Sequence, residues 1–194
     1  MWPSTLALML VDPARHLFTV DEYDRMGEVG LLGPDRRFEL VAGDIVEMSP
    51  IGSAHAGTVN HLNRWFGQRV GEGAVVTVQS PLRLSDLSEP EPDLMLLRPL
   101  EDLYRSRHPR PEDVLLLIEV SASTAGWDRR VKRPLYAAAG IGEMWIVDLS
   151  ARVVEVATKP NPKGYGRVDL VEPDGFAVPG AFPDLRLPVA DLFG

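Results

Sequence analysis

Asp93 follows Pro92 and opens the apolar run Leu94 to Leu97, and Glu119 comes near the end of a second apolar run, Val114 to Val120. A basic cluster containing Lys132 follows. Two hard oxygen donors held by rigid neighbouring strands suit a divalent cation such as Mg²⁺. An ammonium beside them steadies a water or a developing negative charge. The pattern is that of a metal-dependent phosphodiester-cleaving site. Carboxylates brought together without a cation repel, so at least one should hold its proton above the usual range. Taken out of this order, Asp93 and Glu119 read better as a loop cap and a strand-end charge.

Other chemistries lack their markers. There is no cysteine, which removes disulfides, thiolate metal sites and thiol nucleophiles. No Gly-x-Ser-x-Gly elbow occurs, nor a phosphate-binding glycine loop ending in Lys-Ser or Lys-Thr. Gly71-Glu72-Gly73 lacks the third glycine of a dinucleotide fingerprint. The histidines are His16, His55, His61 and His108, and none forms a His-Glu-x-x-His pair. The net charge of −8 counts against a generic nucleic-acid coat protein. Its distribution qualifies that sum. Arg98, Arg105, Arg107 and Arg110 fall between the two apolar runs, and Arg129, Arg130, Lys132 and Arg133 follow Glu119. These eight of the twenty Lys and Arg flank the carboxylates in sequence. Either they draw in an anionic substrate or they are solvated loop charges.

The elements that must position these residues can be read in order. Thr19 to Glu22 has the spacing of a capping box and should start a short helix to about Met26. Phe38 to Val41 and Asp44 to Met48 flank Ala42-Gly43 as a β-hairpin. Glu39 is either an exposed strand residue or an auxiliary acid near the metal. From Ser53 to about Val70, Val59, Leu62, Phe66 and Val70 recur at helical steps. His55 shares that face, in a first turn open to a site, whereas His61 lies off it and should be solvated. Val75 to Leu84 reads as a strand bent at Pro81. Pro99 to Pro111 is a charged excursion. A helix should end at Ala139 before Gly140, and Pro134 requires that it begin near Arg130 or Val131, or bend. Glu143 to Asp148 is a strand. Arg152 to Thr158 and Tyr165 to Val171 form an antiparallel pair joined by the loop Lys159 to Gly164.

The ordered set carries a resemblance. Pro92-Asp93 and Glu119, on successive apolar strands, resemble the PD-(D/E)XK nuclease motif. Several stretches resemble a bacterial family of restriction endonucleases of unknown specificity: Phe38 to Val46, His55, Pro92-Asp93-Leu94, Ile118 to Ser121, Lys132 with Tyr136, and Glu143 to Asp148. The likeness covers roughly residues 19–193. One departure is Ser121, where the basic motif has lysine; the matching lysine is Lys132, from the following helix. The resemblance implies an α/β fold with a mixed central sheet flanked by helices, an αβββαβ core, an N-terminal β-hairpin and C-terminal antiparallel strands. It implies Mg²⁺ or Mn²⁺ on Asp93 and Glu119, with the Val120 carbonyl as a further ligand. Lys132 would orient the attacking water, and Glu39 and His55 would support the metal, the water or the lysine.

The expectation is a single domain over residues 1–194, with residues 1–18 as an N-terminal arm. Leu6 to Val11 is too short to span a bilayer and makes a poor signal peptide, which suggests a cytoplasmic protein. DNA is the expected partner and a homodimer the expected assembly, since cutting a duplex needs two sites. The alternatives are a catalytically inactive nucleic-acid-binding domain and an oligomeric structural domain that keeps the same fold.

Overall fold

The computed structural model describes residues 15–33 and 36–194; the run Leu6 to Val11 lies outside them. In chain order the elements begin with α1 (Val20–Glu28), β1 (Phe38–Val41), β2 (Asp44–Glu47), α2 (Ser53–Gly67), β3 (Val75–Val78), β4 (Leu94–Leu97) and β5 (Val114–Ser121). There follow α3 (Ala125–Trp127), a π-helical turn (Asp128–Lys132), α4 (Arg133–Ala138), β6 (Glu143–Asp148), β7 (Val153–Asn161) and β8 (Gly164–Val171). A short pair, β9 (Phe176–Ala177) and β10 (Leu187–Pro188), closes the chain.

The apolar runs form the middle of a mixed six-stranded sheet, β3 to β8 lying side by side in chain order. Every neighbouring pair is antiparallel except β5 with β6, which is parallel. A parallel pair needs a crossover, and α3, the π turn and α4 supply it. Alternation then divides the core. Leu94, Leu96, Leu116 and Ile118 pack with Val59, Leu62 and Phe66 of α2. Met95, Leu97 and Leu117 point the other way, towards Tyr136 of α4 and Met144 and Ile146 of β6.

The capping box at Thr19 and Glu22 forms as expected, with Thr19 Oγ1 accepting from Glu22 N and Glu22 answering at Thr19 N. The hairpin turns on Ala42 and Gly43, both at positive φ (50° and 83°), as a two-residue turn between twisted strands demands. It stands apart from the central sheet and is tied by the Leu40–Glu89 bridge to the segment that leads into β4.

Three boundaries differ from expectation. The strand expected to reach Leu84 stops at Val78, because Gln79 takes a positive φ of 47° and breaks the ladder. The loop expected from Lys159 to Gly164 is only a turn at Pro162-Lys163, since β7 runs to Asn161 and pairs with Gly164. At Pro134 the helix starts earlier and changes pitch: the wider π turn precedes α4, leaving Pro134 in α4's first turn, where its missing N–H breaks no bond.

Candidate active site

The pairing register explains why Asp93 and Glu119 meet. Leu94 of β4 lies opposite Ile118 of β5, so the next step of this antiparallel ladder sets Asp93 opposite Glu119. Asp93 is fixed from three sides. Its Oδ2 accepts from the Val120 N–H (2.9 Å) and lies 3.0 Å from His55 Nε2, while Gln79 Nε2 donates to Oδ1 (3.2 Å). Burial pushes this carboxyl up, but the His55 contact, the Val120 N–H and Gln79 outweigh it and hold it below the ordinary range. Because Val120 aims its N–H at Asp93, its carbonyl faces the same side of the strand.

Glu119 shares its strand face with Leu117 and therefore meets the crossover helix. Its Oε1 accepts from Lys132 Nζ (3.1 Å) and Tyr136 Oη (2.7 Å), and Oε2 has no partner among the described residues. Lys132 also donates to Glu39 Oε1 (3.0 Å), which accepts in turn from the Glu91 N–H (2.9 Å). The strand position of Glu39 is fully buried rather than exposed, and its Oε2 has no partner. Burial, against the pull of Lys132 and with the push of Asp93, Asp128 and Glu39, raises the Glu119 carboxyl to about 8. Lys132 is raised too: burial opposes its charge, but Glu119 and Glu39 outweigh burial.

A cavity of about 120 Å³ opens over these groups, lined by Asp93, Glu119, Val120, His55 and Lys132, with Glu39 reached through Lys132. The cavity also shows Asp128, whose Oδ2 accepts from Ser121 Oγ (2.5 Å) and Thr124 Oγ1 (3.2 Å). Burial pushes Asp128 up, against the Ser121 bond. Sequence reading missed Gln79 and Asp128 altogether and gave Tyr136 no role. One signal was available: Asp128, Lys132 and Tyr136 recur at four-residue steps, which puts them on one side of a helix.

No three His, Asp or Glu side chains converge closely enough to hold a metal by themselves among the described residues. The available set is two carboxylates and one carbonyl. All are hard oxygens, which suits Mg²⁺ or Mn²⁺, ions that keep water in the remaining positions. Charge points the same way. Glu39, Asp93, Glu119 and Asp128 cluster around one ammonium and one imidazole, and a divalent cation would offset that surplus.

The basic clusters sit elsewhere than expected. Arg98, Arg105, Arg107 and Arg110 lie beyond the far end of β4, roughly 13 Å of strand away from Asp93. Arg107 is bound to Asp113 there. Arg129 holds Asp148 and Glu155, and Arg133 holds Glu155, so they anchor the π turn and the start of α4 to the sheet. Only Arg130 of that group is exposed without a carboxylate partner among the described residues. His61, expected in solvent, is half-buried, and its Nε2 has no partner.

The comparisons with known proteins agree on the fold. A family model described as "Uma2: Putative restriction endonuclease" matches residues 20–190. No curated protein matches the chain. Among solved structures, a crystal structure titled as a putative nuclease belonging to DUF820, from Anabaena variabilis, is similar with a TM-score of 0.70. It covers 91% of this chain and 97% of its own, at 18% identity, so the likeness is one of fold. No helix among the described residues is long and apolar enough to cross a membrane.

Proposed function

The chain belongs to the Uma2 family of putative restriction endonucleases, and from that premise we propose a metal-dependent endonuclease that hydrolyses DNA phosphodiester bonds with an activated water. The observation that carries this reading is the meeting of Asp93 and Glu119 across the β4–β5 register, beside a buried ammonium, in one open cavity. Asp93, Glu119 and the Val120 carbonyl would hold Mg²⁺ or Mn²⁺. When bound, the cation would polarise a phosphoryl oxygen and make its water a nucleophile at neutral pH.

The remaining work falls to the protein. Val120 N–H, Gln79 and His55 fix the Asp93 carboxylate, so little reorganisation is needed at the moment of reaction. Lys132, steadied by Glu39, carries the positive charge that orients the incoming water and offsets charge developing on the phosphoryl oxygens. Tyr136 donates to Glu119 Oε1 and turns Oε2 towards the cavity. Residues 1–194 acting as one domain, a homodimer, and a cytoplasmic location belong to the same proposal. Light scattering that gives a monomer at every concentration would remove the dimer.

The deciding assay is nicking of supercoiled plasmid with Mg²⁺ or Mn²⁺ by the wild type, Asp93→Asn and Glu119→Gln. Either change should lower the rate by about a hundredfold or more, as removal of one such group does elsewhere. Equal cutting by all three proteins would sink the assignment.

A further inference from the structure

The walls of the cavity are not those of a surface that grips duplex DNA by its phosphates. Its lining includes Met48, Pro50 and Ile51, in the segment between β2 and α2, and Trp127 at the end of α3. Ile51 is 41% exposed. Trp65 and Trp145 are core residues, whereas Trp127 is half-buried on the rim and its indole N–H has no partner among the described residues. The cations of the lining are both committed, Arg37 to Glu91 and Lys132 to Glu39 and Glu119. One cation nearby is uncommitted. Arg130 packs against Gly126, where an added Cβ would lie 3.3 Å from Nη1, one residue from Trp127.

Duplex binders that rely on the backbone neutralise many phosphates and lose affinity steeply with salt. A lining whose two cations are both paired, with one free arginine a few residues along the chain from Trp127, cannot do that. An exposed aromatic edge in a lining that is otherwise partly apolar has a different use, because every base has a π-face that stacks without regard to sequence.

Resting on the nuclease reading, we propose that Trp127, which lines the cavity with Met48 and Ile51, takes the base beside the scissile phosphate, so that the substrate is a strand already unstacked at the cut. Single strands, flaps and mispaired segments meet that requirement, and a continuous relaxed duplex does not. Arg130 supplies one phosphate contact. Supercoiled plasmid, which exposes unpaired segments under torsion, is a substrate; its relaxed form is not.

The test is fluorescence anisotropy of a labelled oligo(dT) strand against the same strand annealed to oligo(dA). Ca²⁺ replaces Mg²⁺, so that the oxygen site is filled without turnover. The single strand should bind at least tenfold tighter than the duplex. Trp127→Ala should weaken it about 5- to 100-fold, the span of one lost stacking contact, while Trp127→Phe keeps most of the affinity. Log affinity should fall with log salt at a slope of about −0.7, and Arg130→Gln should remove most of that dependence. Duplex bound as tightly as single strand overturns the proposal. So does unchanged single-strand binding by a Trp127→Ala protein whose circular dichroism is native. Plasmid cutting that needs Asp93 but ignores strand state leaves the nuclease and removes this inference. Strand-selective binding that depends on Trp127, with no cleavage under any metal, supports the stacking site and removes the nuclease.

Discussion

Replacing Lys132 with methionine should destabilise the protein in a pH-dependent way. The ammonium is 3% exposed and bonds Glu39 Oε1 at 3.0 Å and Glu119 Oε1 at 3.1 Å. Methionine nearly matches its volume, so little cavity forms. What is lost is charge: Glu39 keeps the Glu91 N–H, and Glu119 keeps the Tyr136 hydroxyl, but neither retains a counter-charge. Breaking one side of a buried ion pair costs about 3–5 kcal/mol. Glu119 escapes part of that cost by staying protonated. Its folded-state pKa is already raised from 4.5 to about 8, and removing Lys132 takes away its main downward pull. Between the unfolded and folded pKa values the native state binds the extra proton, so stability falls as pH rises through this window. In the variant the window reaches higher, and the deficit against wild type should widen with alkaline pH. Urea unfolding followed by circular dichroism on either side of that pKa measures it. Glu119→Gln made in the Lys132→Met background should return at least about 1 kcal/mol of the loss, the coupling expected of groups in direct contact. A cost below about 1 kcal/mol at alkaline pH, or the same cost with and without Glu119, would refute the idea that these charges hold each other in place.

The same raised carboxyl makes metal binding proton-linked. Mg²⁺ or Mn²⁺ must displace the Glu119 proton, so affinity should rise with pH and level off above about 8. Calorimetry in buffers of different ionisation enthalpy should report about one proton released near neutral pH; pH-independent affinity would contradict this. Arg129→Ala removes the clamp between the π turn and the sheet and takes the arginine partner from buried Asp148, while Glu155 keeps Arg133. It should cost about 3 kcal/mol in denaturant unfolding. It should also slow cleavage at full metal occupancy, because Lys132 rides on that turn. A stable variant with wild-type turnover would show that the turn needs no anchor.

The sequence made the central sheet legible because its strands are short, apolar and bounded by turn residues. Leu94 to Leu97 and Val114 to Ile118 have no other use than to be covered on both faces. The hairpin and the cap of α1 were equally plain, each resting on local chemistry. What stayed hidden depends on where a chain returns. Counted along the sequence, the arginines from Arg98 to Arg110 flank the two acids. In space, β4 carries the chain away from Asp93 before that segment begins, and β5 brings it back only at Glu119. Arg129 and Arg133 were hidden for a second reason: their partners, Asp148 and Glu155, lie on strands that nothing local connects to the helix. Gln79 was hidden because its use depends on a left-handed backbone that a glutamine does not advertise.

These misreadings have a common consequence for the site. With the distant arginines removed and Arg129 and Arg133 bound elsewhere, Lys132 is the one lysine or arginine hydrogen-bonded to the acids at its centre among the described residues. Glu39 and Glu119 already share it. Asp93 is held by neutral donors and one imidazole, and Asp128 by two hydroxyls. The fold therefore concentrates negative charge where burial makes it costly, and Glu119 responds by holding a proton. A site meant only for stability would gain by losing one of these acids, since buried ion pairs rarely outperform apolar packing. Retaining them makes physical sense if something positive from outside completes the set. The charge balance of the cavity, without the family, favours the same hard divalent ion.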